Sequence, residues 1–344
     1  MNQPSDNAGA AASGLPRLVL AVAASERDAF FPPPADELGR LAQVRTVEPQ
    51  DVQTLAEFSD VMGDADIVVT AWGFPRLDAE RLAAAPRLRL VMHAAASVKY
   101  LVSDALWERE IVLSQAGSAM GPAVAELSLT ATLSLLRRTH RMDHALRAGI
   151  DWDTAREIPR AREMSGSRIG VIGASRTGRA YITACQALGA QVTVYDPYLP
   201  ADDPLHGVAQ DLSTLVATSD VVAVHAPETS ETHHLIGAAE ISAMPDGALV
   251  VNTARSALLD MNALFEAASA GRIDVALDVF DTEPLPVDDR WRLLPNVLLT
   301  GHRGGATADS RRRAGLIVVD EIQRHLDGRP LQHAVGRNDL STRG

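Results

Sequence analysis

The sequence has one cysteine, one lysine and no long apolar run. A lone Cys185 excludes an intramolecular disulfide framework and any all-cysteine metal cage. Of the 32 basic residues only Lys99 is a lysine, so lysine chemistry is confined to that position. The longest apolar runs, such as residues 18–24, are strand-sized. They fall far below the ~20 residues that span a bilayer. Cationic charge is short as well. With 44 acidic residues the net charge is −12, so the overall field favours neither nucleic acid nor an anionic membrane as a partner. The first sixteen residues are small and polar, without the basic start and apolar stretch of an export signal. They are expected to be a disordered tail, and the chain to be cytoplasmic.

What remains is an ordinary globular composition, 46% apolar and 22% charged. At roughly 150 residues per domain, 344 residues suggest about two domains. Continuous Val/Ile/Leu/Ala runs at 17–23, 44–47, 66–72, 88–94 and 111–115 read as strands covered on both faces, hence a parallel sheet. Segments 77–85 and 104–109 read as short helices. From 122 to 147 the spacing of Val124, Leu127, Ala131 and Leu135 predicts one long helix, near 40 Å at ~1.5 Å per residue. Residues 151–165 read as a connecting loop. Six further strands follow at 168–173, 191–196, 220–225, 248–253, 274–279 and 296–300, alternating with helical patterns. That is the pattern of a doubly wound nucleotide-binding sheet. A last helix spans 307–326.

Residues 167–178 read as a strand, a tight turn and a helix start. Gly173 permits the turn and Gly178 permits close helix–strand packing. Exposed N–H groups at the helix start favour a pyrophosphate. Ser175 replaces the middle glycine, where its side chain either pushes the pyrophosphate back or hydrogen-bonds to it. Asp196 ends the next strand 23 residues after Gly173. An acid there accepts hydrogen bonds from ribose hydroxyls and repels a 2′-phosphate, which argues for NAD over NADP.

Three later strand ends each present a polar group: Arg255, then Asp278 and Glu283, then His302. Arg offers a planar fork for a carboxylate, His a proton near neutral pH, and Glu a partner that orients the His. These segments, with 195–197, 224–227, 245–255, 277–280, 283–284, 294–297 and 302–307, resemble the D-isomer-specific 2-hydroxyacid dehydrogenases over about 88–328.

The resemblance implies two Rossmann-like or flavodoxin-like α/β domains with parallel sheets and a cleft between them. A substrate-binding domain would comprise 17–118 plus 306–335, an NAD domain 119–305, and 336–344 would be a tail. It implies an NAD-dependent oxidoreductase that interconverts a small 2-keto acid and its D-2-hydroxy acid. Arg255, Glu283 and His302 would be catalytic, with His302 as the acid/base. NAD would be held by Gly173, Ser175, Arg176, Thr177, Gly178, Asp196, His225, Pro227, Thr253, Ala254, Asp278 and Gly304. Asp278 would meet the nicotinamide carboxamide. Ala96 and Ser97 align with a Gly-rich loop that holds the substrate carboxylate. No metal is expected. A homodimer is implied; the alternative is a monomer with the long helix buried against the last one.

Several residues depart from the family pattern. Gly301 replaces a proline, Arg303 an apolar residue and Lys99 an aspartate. Arg303 either contributes a second anion-binding group for the substrate or is a solvated cation. A phosphite- or phosphonate-type substrate on the same site, and a NAD-sensing corepressor-like protein without turnover, are the alternative functions. His140 and His144, four apart, read as a surface pair without a third metal ligand. Cys185 reads as buried, and Trp291 as either a pocket wall or core.

Overall fold

The computed structural model describes residues 14–33, 37–157 and 161–342. Two compact units emerge: residues up to Ala116 together with Gly315–Val335, and Gly117–Ala314 together with the residues from Gly336 on. Met1–Ser13 of the expected N-terminal tail lie outside the described residues, whereas Pro16 already accepts a hydrogen bond from the Gln43 N–H. The expected C-terminal tail carries a short helix, Asp339–Thr342.

The first unit holds five parallel strands: β1 (Arg17–Ala21), β2 (Gln43–Val47), β3 (Ile67–Thr70), β4 (Leu90–His93) and β5 (Val112–Gln115), in the order β2-β1-β3-β4-β5. Strands β3 and β4 are buried at every position, as continuous apolar runs demand. β2 departs from that rule. It lies at the sheet edge, none of its residues is buried, and Arg45 in its middle reaches Asp60. The later part of the helix Ala308–Leu326 completes this unit. Its buried Glu321 accepts from Ser114 Oγ (2.6 Å) and from the N–H groups of Gln332 and His333. At Gly315 a Cβ would lie 1.9 Å from the Phe30 carbonyl oxygen, so only glycine permits that approach.

The second unit has six parallel strands: β6 (Arg168–Ile172), β7 (Gln191–Tyr195), β8 (Val221–Val224), β9 (Leu249–Asn252), β10 (Asp274–Leu277) and β11 (Val297–Leu299). Their order is β11-β10-β9-β8-β6-β7. Both sheets therefore share one winding, with the second strand outside the first and the rest on the other side. Chain direction reverses across the sheet between β6 and β8, and ligands of such sheets bind at the carboxyl ends there.

The expected single helix over 122–147 is two helices, Gly121–Leu136 and Thr139–Arg147. Arg138 between them has φ +57°, a left-handed conformation that ends the first helix. The guanidinium groups of Arg138 and Arg141 both bond the buried Asp274 carboxylate at the start of β10. His140 is not a surface residue. Its ring is buried 3.8 Å from Asp274, and burial pushes its pKa down; His144 is exposed. The stretch Gly117–Leu136 is long and apolar enough to cross a membrane, contrary to the strand-sized runs read from the sequence, and 56% of it is buried inside the protein. It packs on the helix Arg176–Ala187 and on β9 and β10, as a core helix does. The loop expected over 151–165 includes the short helix Trp152–Ala155.

Candidate active site

β6 delivers the chain to Gly173, whose φ of +97° only glycine adopts freely. A Cβ on Gly173 would sit 2.6 Å from the Ala226 nitrogen, and one on Gly178 only 2.1 Å from the Gly173 oxygen. The turn thus passes hard against the end of β8. Ser175 caps the helix Arg176–Ala187, its Oγ accepting from the Gly178 N–H at 3.2 Å. Arg176 is exposed and Thr177 half-buried on the first helical turn.

Asp196 follows β7. Its carboxylate accepts from the Ala174 N–H (2.8 Å) and the Tyr198 N–H (3.0 Å), which ties it to the turn. Beside them lies a cavity of ≈ 670 Å³. Gly173, Ala174, Ser175, Tyr195–Tyr198, Ala226, Pro227, Thr229–Thr232 and Leu235 line it. His225, just behind, is 5% exposed and neither ring nitrogen has a partner. Burial pushes its pKa down to about 4, so it is neutral at pH 7. The glycine cradle, the capped helix start, the acid after β7 and the orphaned imidazole fit a dinucleotide.

The remaining groups come from the ends of β9, β10 and β11. After β9, the fully buried Asn252 accepts from the Ala254 N–H (3.0 Å) and donates to the Arg255 carbonyl (2.8 Å). That bracket fixes the turn carrying Arg255. The guanidinium bonds only the Ala254 carbonyl among the described residues, leaving its other donors open. Thr253 is held from the side by Ser128 Oγ at 2.7 Å.

After β10, the Asp278 carboxylate is 2% exposed and accepts three bonds from the strand-end loop after β11. They come from Thr300 Oγ1 (2.6 Å), the Arg303 N–H (2.9 Å) and the Gly304 N–H (2.9 Å). Its own carbonyl accepts from the His302 N–H at 2.7 Å. These bonds hold His302 at φ +51°, a left-handed conformation uncommon outside glycine. Its Nδ1 lies 2.6 Å from Glu283 Oε2, and Glu283 Oε1 accepts from the Phe280 N–H. The His302 side chain is 46% exposed. A donor Nδ1–H to the carboxylate leaves Nε2 to exchange a proton with a ligand.

Gly304 is buried against Asp278, where a Cβ would come within 3.0 Å of the carboxylate. Arg303 is exposed. Ala96 and Ser97 are half-buried in the first unit, on the loop after β4. Trp291 is core: it is 4% exposed and meets Phe265 edge-on at 5.2 Å. Cys185 is buried beside Tyr181, and burial pushes the thiol up to about 11. Asn252, Ser128 and Thr300 escape a reading based on charged groups. Their only signal is a polar residue at or facing a strand end.

The family model described as "D-isomer specific 2-hydroxyacid dehydrogenase, NAD binding domain" matches residues 129–304. The chain belongs to this family. Its cofactor is NAD. Among curated relatives, it is 32% identical over 309 residues to a D-3-phosphoglycerate dehydrogenase of Methanocaldococcus jannaschii, covering 89% of this chain and 58% of the relative. It thus spans little more than half the length of that protein. It is 31% identical over 274 residues to a hydroxypyruvate reductase of Thermotoga maritima, covering 78% of this chain and 88% of the relative. Among solved structures, the holo form of D-mandelate dehydrogenase from Rhodotorula graminis superposes with a TM-score of 0.81 at 26% identity, covering 94% of this chain and 98% of that one.

Proposed function

We propose that this protein is a cytoplasmic NAD-dependent reductase that converts small 2-keto acids to D-2-hydroxy acids. The His302–Glu283 pair carries the reading: a half-exposed imidazole 2.6 Å from a carboxylate, in the unit that holds the nucleotide cradle. When bound, NADH supplies the hydride. His302 Nε2 donates the proton to the substrate's carbonyl oxygen. Glu283 accepts the Nδ1–H, sets the tautomer and stabilises the imidazolium or imidazole ring in place. The open donors of Arg255 hold the carboxylate and polarise the carbonyl. Ala96 and Ser97 are proposed carboxylate contacts through their backbone N–H groups. A panel of 2-keto acids with NADH tests the reading; no turnover of any member would sink it.

Arg303 points the substrate class toward a second negative charge. Its backbone is pinned to Asp278 beside the acid/base while its side chain is exposed, and one relative is named for 3-phosphoglycerate, which carries a phosphate besides its carboxylate. Arg303→Ala is expected to raise KM about tenfold or more for a dianionic keto acid, the worth of one charge-assisted contact, and to leave that for pyruvate within about twofold. Equal effects on both would refute the role of Arg303.

The proposed assembly is a homodimer. Val287 and Leu293, between β10 and β11 in the nucleotide unit, are 91% and 79% exposed and are proposed to lie in the partner surface. Light scattering is expected to give about twice the 36.7 kDa chain mass. A mass equal to the single chain would refute it.

A further inference from the structure

Asp196 is not the only carboxylate facing the adenosine end of the NAD cavity. One wall is formed by Tyr195–Tyr198 after β7, the other by the loop after β8, which includes Glu231. Tyr198 joins the two. Its backbone N–H donates to Asp196 Oδ1 at 3.0 Å, and its hydroxyl donates to Glu231 Oε2 across the cavity. The tyrosine's pKa is raised by that hydrogen bond first, then by the charges of Glu231 and Asp196. Both acids therefore act on one small region.

Among the described residues, none that lines this cavity is basic. On the adjoining helix, Arg179 is engaged: its guanidinium bonds Asp203 at 3.1 and 2.5 Å and the Ala174 carbonyl at 3.0 Å. Arg176, on the first turn, lies outside the lining. A 2′-phosphate brought here would meet two carboxylates with no free cation in the wall.

We propose that Glu231 is a second determinant of cofactor choice, which disfavours NADP by charge from the wall opposite Asp196, and that Tyr198 is the residue that positions it. The proposal rests on the cradle holding NAD with its adenosine ribose at Asp196. Glu231 is exposed, so its effect is a screened charge–charge repulsion, smaller than that of Asp196, which sits against the ribose itself.

The test is equilibrium binding of NADH and NADPH, read by nucleotide fluorescence without turnover. Glu231→Gln keeps an acceptor for the Tyr198 hydroxyl and removes only the charge. It is expected to tighten NADPH about two- to fivefold, the range of an exposed charge pair, with NADH unchanged within twofold. Tyr198→Phe, which frees Glu231 from its anchor, is expected to shift the NADPH/NADH ratio in the same direction by less. Raising the salt concentration should narrow the ratio in the parent protein more than in Glu231→Gln. An unchanged ratio in Glu231→Gln, in a series where Asp196→Asn moves it, would overturn the role of Glu231 and leave that of Asp196 standing. Absence of NADH binding in the parent protein would overturn both.

Discussion

Replacing His302 with alanine is expected to lower kcat by about 10²–10⁴, the usual worth of a positioned general acid, while NADH binds as before. The separation follows from where the groups sit. The nucleotide cradle is built from β6, β7 and β8, whereas His302 follows β11 at the far edge of the same sheet. His302 is not among the residues that line the adenosine cavity. The side chain is half-exposed, so its removal is expected to leave the fold intact. Glu283→Gln is the finer probe. An amide can accept from the Nδ1–H but carries no charge to stabilise the imidazolium, so the loss should be smaller than for alanine at 302. A His302→Ala enzyme with undiminished kcat would remove the acid/base from this mechanism altogether.

Each of the eleven strands overlaps one read from the sequence. The clearest are β3, β4, β8, β9 and β10, which are buried at every position. The burial rule failed at β2, where an edge position lets Arg45 and Gln43 stand in a strand on pairing alone. The helix break at Arg138 was hidden for a different reason. Two arginines late in a helix suit its macrodipole, and nothing local reveals that one of them turns left-handed to reach Asp274, 136 residues on.

The site followed the same division. Gly173, Gly178 and Asp196 were legible because their roles depend on backbone and spacing. The Glu283–His302 contact was suggested by polar groups at successive strand ends and by the family pattern, since a pair 19 residues apart has no local signature. Ser175 could be placed in the turn from its spacing, but whether it capped the helix depended on a rotamer. Glu231 was not legible at all. It enters the cavity wall from a loop 35 residues after Asp196, and only the Tyr198 hydroxyl shows that it faces inward. Polar residues that bracket backbone turns, such as Asn252, look like ordinary strand ends until their partners are seen.

Asp278→Asn is expected to be the most damaging conservative change in the nucleotide unit. The carboxylate receives the Thr300 hydroxyl and the Arg303 N–H at one oxygen and the Gly304 N–H at the other. All three partners are donors, so a carboxylate suits them and an amide does not. Whichever way the Asn side chain is turned, its NH₂ faces a donor and at least one buried N–H loses its acceptor. An orphaned buried group costs about 1–3 kcal/mol, and the lost charge assistance adds to it. The released loop is the one that holds His302 at positive φ, so the imidazole would relax away from Glu283. Misplacing a catalytic group by ~1 Å costs about 10²-fold in rate. The variant should therefore show a lowered Tm and a kcat reduced about 100-fold together. Asp278→Ser removes both the charge and the reach and leaves all three donors without their acceptor, so stability and activity should both fall at least as far. A stable Asp278→Asn protein with full activity would mean that the loop after β11 is held by something other than this carboxylate.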